Sequence, residues 1–221
     1  MEYRRVPIAG EAVVVSFDLC SSWDIYEQLL LRGKQGLLVQ LLTKVKELLA
    51  KQQEGLSDAE CFDLYKFTGD GWILLYPAKF SRSLLYEFLV QLCDEVHWQL
   101  EHVVFPALDA PPAIDGVTFG IDKGPLTPVT IFGVEEYIGR AIDVACRLQK
   151  KVEHGEPPTY KALMSKIVHR EYFALPGVEV GTKKEEHLKN ILGDRAFECW
   201  EVDLTPPLLG FSESPPTAKQ H

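Results

Sequence analysis

Two carboxylates stand out in the 221-residue sequence. Asp18 interrupts the apolar, β-branched run Ala12 to Leu19 (AVVVSFDL), and Asp70 sits between two glycines in Thr68-Gly69-Asp70-Gly71. An acid set into a buried strand is costly unless it is paired or holds a metal. Asp70 alone reads as a turn former, and only convergence with Asp18 makes it a ligand. Two convergent carboxylates with open neighbours suit Mg²⁺, which takes one or two carboxylates together with phosphate oxygens.

The surrounding elements must bring these two acids together. Ala12 to Leu19 predicts a buried strand. Ser21, Ser22 and Asp24 offer caps for a helix carrying Ile25, Leu29 and Leu30, broken at Gly33 and Gly36. Leu37, Leu38, Leu41, Leu42, Val45, Leu48 and Leu49 then recur at helical spacing as a core-facing stripe. Cys61 to Phe67 and Trp72 to Tyr76 flank the Gly-Asp-Gly turn and predict a hairpin. A long amphipathic helix is expected from about Ser81 to Val103, ended by Pro106, Pro111 and Pro112. Val117 to Ile121 and Pro128 to Phe132 read as strands separated by a turn at Lys123-Gly124-Pro125, with a helix from Ile138 to Val152 after them.

The order β, α, β, β, α, β predicts a ferredoxin-like α+β core, an antiparallel sheet with helices on one face, followed by C-terminal additions. In such a core the end of the first strand lies beside the central hairpin, so Asp18 and Asp70 converge. The additions are a helix over Pro158 to Arg170, a charged run at Lys183 to Lys189 and a last strand at Phe197 to Leu204. One domain is expected over residues 1–204, with a disordered Pro-, Ser- and Thr-rich tail over 205–221.

Composition narrows the function. The sequence is 46% hydrophobic and 25% charged, enough to build one sizeable core. Lys plus Arg number 23 against 32 Asp plus Glu, a formal charge of −9. With no dense basic cluster, nucleic-acid binding is disfavoured as the main activity. Every apolar stretch is interrupted well before the ~20 residues of a membrane span, so a cytoplasmic protein off the membrane is expected. The five cysteines have no CxxC or Cys/His ligand spacing and read as reduced thiols.

Four segments resemble, in order and spacing, the motifs of class III nucleotidyl cyclase catalytic domains: FDLCSS at Phe17 to Ser22, KFTGDG at Lys66 to Gly71, GIDKG at Gly120 to Gly124, and YIGRAIDVACRL at Tyr137 to Leu148. The resemblance implies a homodimer with two composite sites, each taking its metal acids from one subunit and its base-reading and transition-state residues from the other. It matches Asp18, Leu19 and Asp70 to the set holding two divalent ions, Mg²⁺ or Mn²⁺. Lys66 and Glu136 match the base readers, and Arg147 the transition-state arginine. Asp143 stands where the family usually has a ribose-orienting Asn; an ionised carboxylate cannot donate as an amide does. Lys189 is placed by analogy as a triphosphate ligand.

Without that context, Arg147 reads as a helix-surface salt bridge, and Lys66 with Glu136 as a cross-element ion pair. With it, the chemistry is coherent. Cyclisation needs an activated ribose 3′-hydroxyl, an in-line α-phosphorus and stabilised phosphoryl charge, which two metal ions and a guanidinium supply. A Lys donor beside a carboxylate acceptor fits adenine, cytosine or uracil. FDLCSSWDIYEQL, YKFTGDGWILLYP and EEYIGRAIDVACRLQ further resemble the pyrimidine cyclases of bacterial anti-phage defence. That likeness implies UTP as substrate and cyclic UMP as a messenger read by a separate effector, with cytidylate or adenylate cyclase, or a degenerate non-catalytic dimerisation module, as alternatives.

Overall fold

The computed structural model describes residues 4–8, 10–174, 180–191, 193 and 195–205. The expected tail falls, but for Thr205, outside these described residues. Twelve principal elements follow in order: β1 (Gly10–Leu19), α1 (Ser22–Leu31), α2 (Gly36–Gln53), β2 (Asp63–Phe67), β3 (Gly71–Pro77), α3 (Arg82–Gln99), β4 (Gly116–Ile131), β5 (Val134–Ile138), α4 (Arg140–Gln149), β6 (Thr159–Ser165), β7 (Thr182–Glu186) and β8 (Phe197–Asp203).

The α+β class and the βαββαβ order hold. One sheet runs β2-β3-β1-β4-β6-β8-β7, with β5 attached to β4. Its pairings are antiparallel except for β4 with β6. Alternation along β1 sorts the molecule into two layers. Val13, Val15, Phe17 and Leu19 face the large core made with α1, α2 and α3. Ala12 and Val14 face the other way, into a smaller core with Ala141 and Ala145 of α4. Only the helices of the βαββαβ unit therefore share a face; α4 covers the reverse. Glycine permits its close seat, because a Cβ on Gly120 would lie 2.0 Å from the Ala145 carbonyl oxygen.

Several elements depart from their sequence signals. Lys123-Gly124-Pro125 is not a turn. β4 runs unbroken through it, paired with β1 from Gly10↔Leu126 to Leu19↔Val117. Pro125 is tolerated there because β6 has already ended, its pairing stopping at Ile121. The tight turn lies further on, at Phe132 and Gly133, both with positive φ, and leads into β5 where no strand was expected. Accordingly α4 starts at Arg140 rather than Ile138.

Thr159–Ser165, expected as a helix, is strand β6, buried between β4 and β8. Its Lys, Ala, Leu and Met favour helices in isolation, but burial on both faces overrides that preference. Helical turns begin only at Lys166. The charged run beyond it forms the edge strand β7, whose two lysines and two glutamates keep the open edge polar. The long helix α3 ends at Gln99 and continues as a π turn over Leu100–Val104 and a 3-10 turn over Phe105–Ala107. All five cysteines are free thiols. Among the described residues no helix is long and apolar enough to cross a membrane.

Candidate active site

Asp18 lies near the end of β1, opposite Gly71 at the start of β3. The Thr68–Gly71 turn explains how Asp70 reaches it. Gly69 takes φ 116°, a conformation side chains resist, and the Thr68 N–H closes the turn on the Gly71 carbonyl at 3.0 Å. Gly71 presses so closely on β1 that a Cβ would fall 1.8 Å from the Phe17 carbonyl oxygen. The Leu19 N–H, donating to the Asp70 carbonyl at 3.3 Å, ties the turn to the strand end, and Ser22 at the start of α1 donates its hydroxyl to Asp70 Oδ2.

Asp18 is half-buried beside a second acid, and its electrostatics follow from that place. Burial, then the hydrogen bond and charge of Asp70, raise the Asp18 carboxyl to about 8; Lys150, just past α4, opposes the rise. Asp18 Oδ1 is buried without a hydrogen-bond partner among the described residues. An orphaned buried carboxylate oxygen beside a second carboxylate fits a divalent cation. No third His, Cys, Asp or Glu completes a cluster among the described residues. Further oxygens would have to come from backbone carbonyls such as that of Leu19 and from a phosphorylated ligand.

Lys66 lies on β2 at a register shift, where Leu64 opposes Leu74 but Lys66 opposes Ile73. Tyr65 is the extra residue of this bulge, so Tyr65 and Lys66 share the face that α4 covers. The β4–β5 hairpin reaches back over that face, its Tyr137 packing with Ala12, Val14, Ile73 and Leu75. This brings Glu136 to β2, though not into an ion pair with Lys66. Its partner is Tyr65, whose hydroxyl donates to Glu136 Oε2 and accepts the Tyr137 N–H at 3.1 Å. Sequence reasoning missed Tyr65, because an aromatic in a strand carries no signal beyond packing.

Asp143 and Arg147 stand four residues apart on α4, between the buried positions Ala141, Val144, Ala145 and Leu148. Arg147 makes none of the salt bridges found among the described residues. The helix-surface ion pair that its sequence context allowed is absent there. Lys189 is exposed in the loop after β7, beside Leu188, which packs with Val144 and Leu148 of α4. Within one chain, then, the carboxylate pair forms one group and Lys66, Tyr65 and Glu136 another. Asp143, Arg147 and Lys189 are grouped around α4.

No family model and no curated protein matches the sequence. Solved structures do match its fold. The guanylyl cyclase Cya2 aligns with a TM-score of 0.63 at 14% identity, covering 88% of this chain and 94% of that one. The adenylyl cyclase CyaB from P. aeruginosa aligns with a TM-score of 0.63 at 14% identity, covering 92% and 97%. The catalytic core of a rhodopsin-guanylyl cyclase with converted specificity, in complex with ATPαS, gives 0.58 at 11% identity over 88% and 96%. The chain has the fold of the adenylyl and guanylyl cyclase catalytic domains.

Proposed function

We propose that the chain is a nucleotidyl cyclase, converting a ribonucleoside triphosphate to its 3′,5′-cyclic monophosphate and pyrophosphate. The observation that carries this reading is the Asp18–Asp70 pair, pinned by Gly71 and with Asp18 Oδ1 left unsatisfied, within a cyclase fold. Asp18 and Asp70, with the Leu19 carbonyl, would hold the divalent ions, Mg²⁺ or Mn²⁺. When bound, these supply Lewis-acid stabilisation of the triphosphate and lower the pKa of the attacking hydroxyl.

The chain's own residues do the rest. Arg147, free of an ion pair among the described residues, meets the phosphoryl oxygens with its fixed fork of donors. Lys66 donates to the base and Glu136 accepts from it; Asp143 lies toward the ribose, and Lys189 toward the terminal phosphates. Two copies complete each site, the carboxylates of one facing Arg147 of the other. The exposed Ile131, Phe132, Val134 and Ile138 of the β4–β5 hairpin offer apolar surface for that association.

Uracil suits the donor–acceptor pair, its carbonyl accepting from Lys66 and its ring N–H donating to Glu136. Adenine and cytosine suit that pair as well, and it is the motif resemblance that puts UTP first, with cyclic UMP as a defence messenger. The presence of Asp143 in place of an amide favours a second reading, a non-catalytic dimerisation module. Incubating the purified protein with Mn²⁺ and each of the four ribonucleoside triphosphates, then chromatographing the products, separates the readings. Cyclic UMP supports the first, another cyclic nucleotide changes the base, and no product with any of the four supports the module.

A further inference from the structure

The hydroxyl of Tyr65 has one proton to give, and of its two acceptors Glu136 Oε2 is much the nearer, the Tyr137 carbonyl oxygen lying at 3.5 Å. The Tyr137 N–H occupies an acceptor position at 3.1 Å, and the hydroxyl donates to Glu136 Oε2. The two rings brace this arrangement, with the Tyr65 and Tyr137 centroids 5.4 Å apart and the planes 75° to one another. Tyr137 is held in turn at its far end, accepting the Ile8 N–H at 2.9 Å and donating to Glu135 at 2.8 Å. Glu136 is therefore tied through one oxygen to the bulge residue immediately before Lys66. The extra methylene of Glu over Asp gives the carboxylate its reach to β2.

We propose that Tyr65 is a positioning residue that determines base specificity, by fixing the Glu136 acceptor relative to the Lys66 donor so that the pair matches one base edge. This rests on the base-reading role proposed above for Lys66 and Glu136. A carboxylate on a free side chain would swing and accept from several edges. One clamped by a charge-assisted hydrogen bond presents a single offset. Mismatched bases then leave a buried polar group unpaired, which is how such sites discriminate.

The test uses the full chain with Mn²⁺ and UTP, CTP, ATP and GTP, measuring kcat/KM for each and, on the same preparations, the four dissociation constants by equilibrium dialysis. The variants are Tyr65→Phe, which keeps the packed ring, Glu136→Asp, which breaks the same bond without touching it, Glu136→Gln, and Tyr65→Phe combined with Glu136→Gln. Tyr65→Phe is expected to reduce preference for the best nucleotide over the others about tenfold, through dissociation constants and KM more than kcat. Glu136→Asp should copy it, and the double variant should discriminate no worse than Glu136→Gln alone. If Glu136→Gln shifts the preference while Tyr65→Phe and Glu136→Asp leave it within about twofold, positioning by Tyr65 is overturned and base reading stands. If Glu136→Gln also leaves it unchanged, base reading by Glu136 is wrong and the role of Tyr65 falls with it.

Discussion

Gly71 and Phe17 sit backbone to backbone, so close that a Cβ on the glycine would fall 1.8 Å from the Phe17 carbonyl oxygen and 2.9 Å from Asp18 Cα. Both flank the carboxylate pair, so the contact that joins β3 to β1 also sets the spacing of Asp70 from Asp18.

Gly71→Ala should therefore damage the metal site and the fold together. Neither strand can give way without shifting its ladder, and overpacking of this kind costs about 3 kcal/mol. For a chain of this size that lowers Tm by roughly 6–12 °C, and Mn²⁺-dependent turnover should be lost. Gly36→Ala is the control, since nothing lies within 4 Å of the added methyl. Thermal melts of the two variants check the contrast. An unchanged melt for Gly71→Ala would show that the strands separate easily.

Arg147 and Asp18 give the test of shared sites. Asp18→Ala and Arg147→Ala should each abolish turnover while leaving the chain folded. Mixed and allowed to exchange, they should recover about a quarter of wild-type activity, because half of randomly paired dimers carry one intact site of two. Confirmed heterodimers without activity would place both residues in one subunit's site.

The acids of the site were legible because each breaks its context: Asp18 a buried apolar run, Asp70 a pair of glycines. Strand β1 and the hairpin around Asp70 were legible as apolar, β-branched runs bounded by turn residues. β6 was not, since Lys161, Ala162, Leu163 and Met164 are helix formers whose strand conformation is imposed by β4 and β8 on either side. Nor was the long β4, because Gly124 and Pro125 are turn residues wherever a neighbouring strand does not hold them extended. The Tyr65–Glu136 bond spans 71 positions and depends on a bulge and on a hairpin folding back over the sheet. Neither leaves a local pattern.

Asp122 provides a pH prediction remote from the carboxylate pair. It is buried on β4, and burial raises its carboxyl above the usual range, opposed by Ser165, the Lys123 backbone and Arg140. A folded-state pKa above the unfolded value means that the folded chain keeps a proton the unfolded chain gives up. The resulting stability is full below about pH 4 and is lost as pH rises through the folded pKa. The isosteric Asp122→Asn cannot lose it. Its Tm relative to wild type should thus increase from pH 4 to pH 8, as read by paired melts. A constant difference would mean that Asp122 titrates normally.

Lys66 carries the last prediction. It is exposed on β2, beside the bulge residue that holds Glu136. Removing an exposed ammonium should cost little stability, within about 0.5 kcal/mol. If it donates to a base carbonyl, Lys66→Ala leaves that acceptor unpaired in the bound state. The penalty is roughly 1–3 kcal/mol for the matching base and little for bases that never used the donor. The outcome is then a changed ratio of kcat/KM between UTP and ATP, a factor of about 5 to 150, not a uniform fall across nucleotides. A uniform fall would make Lys66 a phosphate-steering charge, and its rate effect would then weaken with added salt. An unchanged ratio with an unchanged rate would remove Lys66 from the site, and wild-type preference for ATP would remove the pyrimidine assignment while leaving the donor role intact.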